Sequence, residues 1–361
     1  MKHRDRDGKA PPGGRTVRWL WLWTPLAGLA LLIALSVFLE GPTPLRREAC
    51  WSFLWDYDEV LDVASDFEGF DNVSGAFSAS APSPLPPSSL ELIVPNIVHF
   101  LRMGQPEFTF LEYVCALAAW ERQQPDWLMF HSDLLDFRGE YWMRLQATPG
   151  LREAIQLVPT SPLKDVLGQP LDPVHGKQHA ADVQRIVILQ NYGGIFLDND
   201  VYLLDSLDPL RRFEMSVGWP EGADIGRQVL VAHEEARFLR AWLESYRGAY
   251  VGSLRDYNAA TRPTQVILHA RPELVHRVPV RLGVGKDVPD VLYLRRGLQA
   301  WRRQGMLAVP LAERHTAPLA RDAQKLGLSY PVNFTEDNIC SYNVTVLQLA
   351  QAVLPSLCRA Q

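Results

Sequence analysis

The chain has 361 residues, 47% of them hydrophobic, and a formal net charge of −5. That length and apolar content allow one large folded domain with attachments, and the mild acidity gives no reason to expect a nucleic-acid partner. Only four cysteines are present, Cys50, Cys115, Cys340 and Cys358, and no CxxC or Cys/His spacing suggests zinc.

At the N-terminus, residues 1–18 form a basic tail in which Lys2, Arg4, Arg6, Lys9, Arg15 and Arg18 outnumber Asp5 and Asp7. The run 19–39 is uncharged and about as long as a helix needs to cross a bilayer. It reads as a single membrane span. Positive charge before it predicts a cytoplasmic N-terminus with everything downstream lumenal, and Trp19, Trp21 and Trp23 would sit at headgroup level. The rival is a cleaved signal peptide, for which Ala34-Leu35-Ser36 supplies small residues, but the apolar run exceeds a usual signal core. Three sequons, at Asn72, Asn333 and Asn343, follow the span, as this orientation requires for glycosylation. In an oxidising lumen Cys340 and Cys358 could close the C-terminal tail, whereas Cys115 falls in an apolar helical stretch and reads as a buried thiol.

Residues 40–90 read as a stem. They open with Pro42 and Pro44, pass through an acidic and aromatic segment, and end in SASAPSPLPPSS, a proline and serine run suited to a spacer. From residue 91 to 361 strand and helix signals alternate, which predicts an α/β domain. LIVPNIVHF reads as a strand and FTFLEYVCALAAWER as an amphipathic helix. WLMFH, GEYWMRLQ and Ala154 to Val158 then read as strand, helix and strand. A proline-broken loop follows, from Pro159 to Pro173. Later come VLVA as a strand and EARFLRAWLESYRGAY as a helix.

Between these lies ADVQRIVILQNYGGIFLDNDVYLL, from Ala181 to Leu204, which reads as helix, glycine hinge and strand. Asp182 and Arg185, three apart on a helix, share a face. Gly193 and Gly194 end the helix, a C-cap role compatible with backbone approach to a ligand. Asp198 and Asp200 follow the apolar strand Ile195 to Leu197. Two apart on a strand, they would face one side, with Asn199 opposite. The chain has three Asp-x-Asp triplets, and only this one follows a buried strand. A hard divalent cation would relieve the mutual repulsion of such a pair.

This stretch resembles the DXD-containing sugar-binding region of glycosyltransferase family 32, which includes α-1,4-galactosyltransferases and initiating α-1,6-mannosyltransferases. The shared pattern is AD, two residues, R, then I/L-L, then GGI-aromatic-x-D-x-D. PNIVHFLRMG is similar to the family's opening strand. The resemblance implies a GT-A type, Rossmann-like domain that transfers a sugar from a nucleotide donor with Mn²⁺ or Mg²⁺, with retention, to a glycan or glycolipid in the Golgi. Asp198 and Asp200 would hold the metal on the diphosphate and be the catalytic pair. Asp182 and Arg185 would contact the donor, with Gly193 and Gly194 beside them. The opening strand would contribute His99 and, where related toxins stack an aromatic on uracil, Arg102. UDP-galactose or another UDP-hexose is the expected donor, and GDP-mannose the alternative. A non-catalytic glycan-binding relative is the rival of a different class.

Departures from the family pattern feed that rival. IGRQVLVA carries Arg227-Gln228 where the family usually reads Asn-Gly, and AVPLAERH has Pro310 at a family histidine, with His315 as a candidate substitute. Glu221 and Asp224 are the first acids to test on the acceptor side, although both read more readily as ordinary loop acids.

Overall fold

The computed structural model describes residues 92–284, 288–312, 316–327 and 329–359, all within the second of two compact units, Leu61–Gln361. The expected tail, span and stem, with Cys50 and Asn72, lie outside the described residues, as does His315. Among the described residues no helix is long and apolar enough to cross a membrane.

In chain order the elements are β1 (Ile97–Arg102), α1 (Phe110–Gln123), β2 (Trp127–Ser132), α2 (Glu140–Ala147), α3 (Leu151–Ala154) and β3 (Ile155–Pro159). The short strands β4 (Asp165–Val166) and β5 (Gln169–Pro170) form a hairpin inside the expected loop, followed by α4 (Gly176–Tyr192), β6 (Gly194–Leu197) and β7 (Val201–Leu203). Then come β8 (Met215–Gly218), β9 (Val229–Ala232), α5 (Arg237–Glu244), β10 (His276–Val278), α6 (Val288–Leu294), α7 (Leu298–Arg303) and β11 (Ala308–Pro310). The last helices are α8 (Thr316–Lys325), α9 (Glu336–Ile339) and α10 (Thr345–Val353).

Seven strands form one mixed sheet in the order β10-β8-β9-β6-β1-β2-β3. β1 pairs in parallel with β2 and β6, β2 with β3, and β8 with β10, while β9 runs antiparallel between β6 and β8. The fold is therefore α/β with a parallel-rich sheet. Its central strands β6 and β9 are buried on both faces, which is why GIFL and VLVA read as continuous apolar runs rather than alternations. Val98, Phe100, Phe130 and the apolar side of α1 form one core, whereas Ile186, Leu189, Phe196, Leu230 and Trp242 form the other.

Local chemistry sets the ends of these elements. Thr109 and Glu112 make a reciprocal capping box at the start of α1, satisfying two backbone donors. The break between α4 and β6 falls on Gly193 and Gly194, with φ of +62° and +100°. Conformation is only half of the requirement there. A Cβ on Gly193 would lie 2.9 Å from the Pro95 ring, and one on Gly194 would lie 2.6 Å from the carbonyl oxygen of Ile97. The two glycines thus let α4 and β6 close against β1. At the far end Cys340 and Cys358 are joined as a disulfide across 18 residues, flanking α10, and Cys115 is a buried free thiol. Both agree with the sequence reading.

Gly194→Ala combines a strained φ with a backbone clash, so it should cost about 3 kcal/mol of stability. Urea unfolding with a lowered midpoint and unchanged slope is the expected result.

Candidate active site

Strand β1 leads through α1 to β2 on one side, while β6 lies on its other side, so the carboxyl ends of β1 and β6 flank the point where the strand order reverses. Crevices in α/β sheets open at such points. Here a cavity of about 1080 Å³ opens, lined by Asp198, Asn199, Asp200, Arg185, Arg227 and Asp256 among others.

Both acids of the triplet line this cavity, but not through strand alternation. The strand ends at Leu197, and residues 198–201 close a turn in which Val201 N donates to Asp198 O at 3.0 Å. Asn199 consequently lines the cavity too instead of facing away. Its Nδ2 donates to Leu101 O at 2.8 Å, and Leu311 N donates to Asp200 O at 2.7 Å, so the turn is tied down on both sides. Among the described residues no group of three or more His, Cys, Asp or Glu could hold a metal. Two carboxylates on one turn still match a hard cation whose remaining ligands are phosphate oxygens and water, the usual mode for Mg²⁺ beside a phosphorylated substrate.

Helix α4 delivers Asp182 and Arg185, and their depths differ. Arg185 lines the cavity, reaching Asp198 Oδ1 through Nη1 at 3.0 Å and Asp182 Oδ1 through Nη2 at 3.2 Å. It also donates to the carbonyl of Arg227 and lies over the Phe196 ring. Asp182 is fully buried and does not line the cavity. A second guanidinium, that of Arg227, meets the same Oδ1 through Nε at 3.0 Å as an ion pair, and neither Asp182 oxygen has a hydrogen-bond partner. Burial pushes the Asp182 carboxyl above the usual carboxylate range, against the pull of Arg185 and Arg227. The acid expected to face the donor lies beneath two arginines.

Arg227 continues the chain of charges outward through an ion pair from Nη2 to Asp256. Asp256 belongs to the segment 250–256, which is fastened onto α4. His179 Nε2 donates to Arg255 O at 3.0 Å, so its Nδ1 accepts from the Tyr250 hydroxyl at 2.7 Å. Arg255 Nε donates to Gln178 Oε1 at 2.7 Å, and Gly252 sits where a Cβ would lie 2.9 Å from that of Asp172. Gln178, Arg255 and Asp256 had no distinguishing sequence signal, being single polar residues without a motif. Arg227 did have one, as the departure from Asn-Gly.

The opening strand contributes less directly. His99 is completely buried and does not line the cavity. Its Nε2 donates to Gly193 O at 2.8 Å, which leaves Nδ1 to accept from His131 Nε2 at 3.0 Å, and both rings contact Tyr192. Arg102 lies on the other face of β1, with Val98 and Phe100. Its guanidinium stacks on Phe108 at 3.9 Å, bonds Glu107 O at 2.7 Å and pairs with Glu112 at 3.2 Å. It is absent from the cavity wall, so the base-stacking role expected of it has no counterpart in its placement. Gly193 and Gly194 likewise face Pro95 and β1 rather than the cavity. Asp224 accepts from Thr261 Oγ1 at 2.6 Å, Glu221 is exposed, and neither lines the cavity. Pro310 ends β11, paired with Val201.

Residues 112–217 match the family described as the glycosyltransferase sugar-binding region containing DXD motif. That span contains α4, both glycines and the Asp198–Asp200 turn, so the chain is similar to this family over the stretch that shapes the cavity. "Glucan organizing enzyme 1" of Cryptococcus neoformans var. grubii serotype A is 24% identical over 203 residues, 51% of this chain and 52% of that protein. The chain thus spans about half the length of this curated relative. Among solved structures, the galactosyltransferase LgtC in complex with donor and acceptor sugar analogs overlays with a TM-score of 0.36 at 17% identity, covering 73% of this chain and 96% of that one. Mouse xyloside xylosyltransferase 1 does so with 0.37 at 12% identity, covering 59% and 96%.

Burial holds His99 down at about 3 and His131 at about 4, far below the usual histidine value. An unfolded chain therefore binds more protons than the folded one below about pH 6.5, and stability should fall with pH from there by roughly 1.4 kcal/mol per unit for each histidine. Denaturant melts from pH 7 to 5 should show this loss, and His131→Gln should flatten it.

Proposed function

We propose that the chain is a glycosyltransferase that moves a hexose from a nucleotide sugar, with UDP-galactose or another UDP-hexose as first choice and GDP-mannose as alternative, to a glycan or glycolipid acceptor. The observation that carries this reading is the placement of Asp198 and Asp200 on one anchored turn at the strand-order reversal, inside the cavity and beside Arg185. A GT-A type arrangement and retention at the anomeric carbon belong to the same proposal.

Asp198 and Asp200 are the residues that would hold Mn²⁺ or Mg²⁺. A divalent cation there offsets the charge that builds on the leaving diphosphate. Arg185 sits against Asp198 and keeps a fixed positive charge beside the departing group without reorganisation. The glycines let α4 and β6 approach β1 closely, which sets the spacing between the arginine on the helix and the acids on the turn. No protein nucleophile is required if the leaving phosphate assists the incoming hydroxyl. The name of the curated relative makes a glucan a sensible member of any acceptor panel.

Hydrolysis measured over a panel of UDP-hexoses and GDP-mannose with Mn²⁺ identifies the donor. Asp198→Ala should lower turnover at least a hundredfold, and a variant of full activity refutes the metal assignment.

A single-pass type II anchor in the Golgi, with this domain lumenal, completes the proposal. Asn333 and Asn343 are both exposed. Protein from secretory cells should lose mass on glycosidase treatment, with the loss mapping to these two positions, while the N-terminus stays accessible to protease from the cytosol.

A further inference from the structure

Two guanidiniums stand side by side in the cavity wall, and their polar contacts are distributed unequally. Arg185 is committed throughout: Nε to Ala181 O, Nη1 to Asp198 and Arg227 O, and Nη2 to Asp182. Arg227 gives Nε to the buried Asp182 and Nη2 to Asp256, and its Nη1 takes part in no described contact. Its two anchors also differ in kind. Asp182 is unreachable by solvent, so its hold on Nε is unscreened, whereas the Asp256 side chain is 55% exposed and its hold on Nη2 is weakened by water and salt. Arg227 is thus fixed from behind and exchangeable in front.

We propose that Arg227, with Asp182 as its buried counter-charge, is a binding residue for the diphosphate of the donor, presenting Nη1 and an exchangeable Nη2 as a fork to one oxyanion. The proposal rests on the nucleotide-sugar reading of the cavity and assigns it a contact that the DXD pattern does not contain. A planar fork matches a phosphate in bidentate fashion, and a lysine would offer only a point charge. Asp182 then acts through Arg227 and Arg185 instead of touching the sugar itself, in accord with its absence from the cavity wall. An Asn at position 227 could not supply the positive charge, so this chain and relatives with Asn-Gly there should grip the diphosphate differently.

Binding of inorganic pyrophosphate, which carries neither base nor sugar, is the direct test, by calorimetry with and without Mn²⁺ on the full chain. Arg227→Asn should weaken it at least tenfold, Arg227→Lys should recover only part of that loss, and Asp256→Asn should leave binding equal or tighter. Because Arg227→Asn leaves Asp182 with one shared guanidinium, it risks poor folding. The Asp182→Asn/Arg227→Asn pair removes that buried charge and should melt above the single variant while showing the same weakened binding. Pyrophosphate binding that survives Arg227→Asn, or wild-type protein that does not bind it at all, overturns the proposal. If the wild type binds pyrophosphate through Arg227 but turns over no nucleotide sugar, the donor reading fails and this assignment stands.

Discussion

A carboxylate with no exposure to water organises the site. An isolated Asp182 charge would be far too costly to bury, and Arg185 and Arg227 oppose that cost by converging on one of its oxygens. The consequence is geometric. Each guanidinium is fixed at its inner end, and each extends toward a different acid, Asp198 for Arg185 and Asp256 for Arg227. Helix α4, the β6–β7 turn, the start of β9 and the segment 250–256 are brought together by five alternating charges.

The backbone makes this arrangement possible. Gly193 and Gly194 allow β6 to begin directly after α4 and to pack within contact distance of Pro95 and Ile97. His99 closes the same junction by donating to Gly193 O, and its hydrogen bond with His131 extends that tie to β2. A histidine pair kept neutral by burial therefore stands behind the acidic turn as support. The same division holds for Arg102 and Glu112, which close the start of α1 against β1 on the opposite face. The cavity lining and the elements that stabilise it are separate layers of the same strands.

How legible was this? Strands β1, β2, β3, β6 and β9 and helices α1, α2 and α4 were readable from apolar runs bounded by glycine, proline or a capping residue, whereas the short elements α3, β4, β5, β7 and β8 were not. The Asp198–Asp200 pair and Arg185 were readable from a pattern of fixed spacing, and they do meet in one cavity. Asp198 and Asp200 form a turn rather than an extended strand, and both still line the cavity because Asn199 and Leu101 hold that turn against β1.

Spacing within one helix and one turn is a local property, so the sequence alone determined that Asp182 and Arg185 share a helix and that two acids follow a buried strand. Which of them is exposed depends on what packs over the helix, and that is settled by segments 40 to 70 residues further along the chain. Asp256 has no periodicity or motif that could announce it, and Arg227 shows in the sequence only as a departure from Asn-Gly. Their roles exist only because the sheet brings the start of β9 over α4 and because His179 fastens the 250–256 segment beside it. The depth of Asp182, the stacking of Arg102 on Phe108 and the position of Arg227 between Asp182 and Asp256 are tertiary decisions, made by which segments pack over α4 and β1.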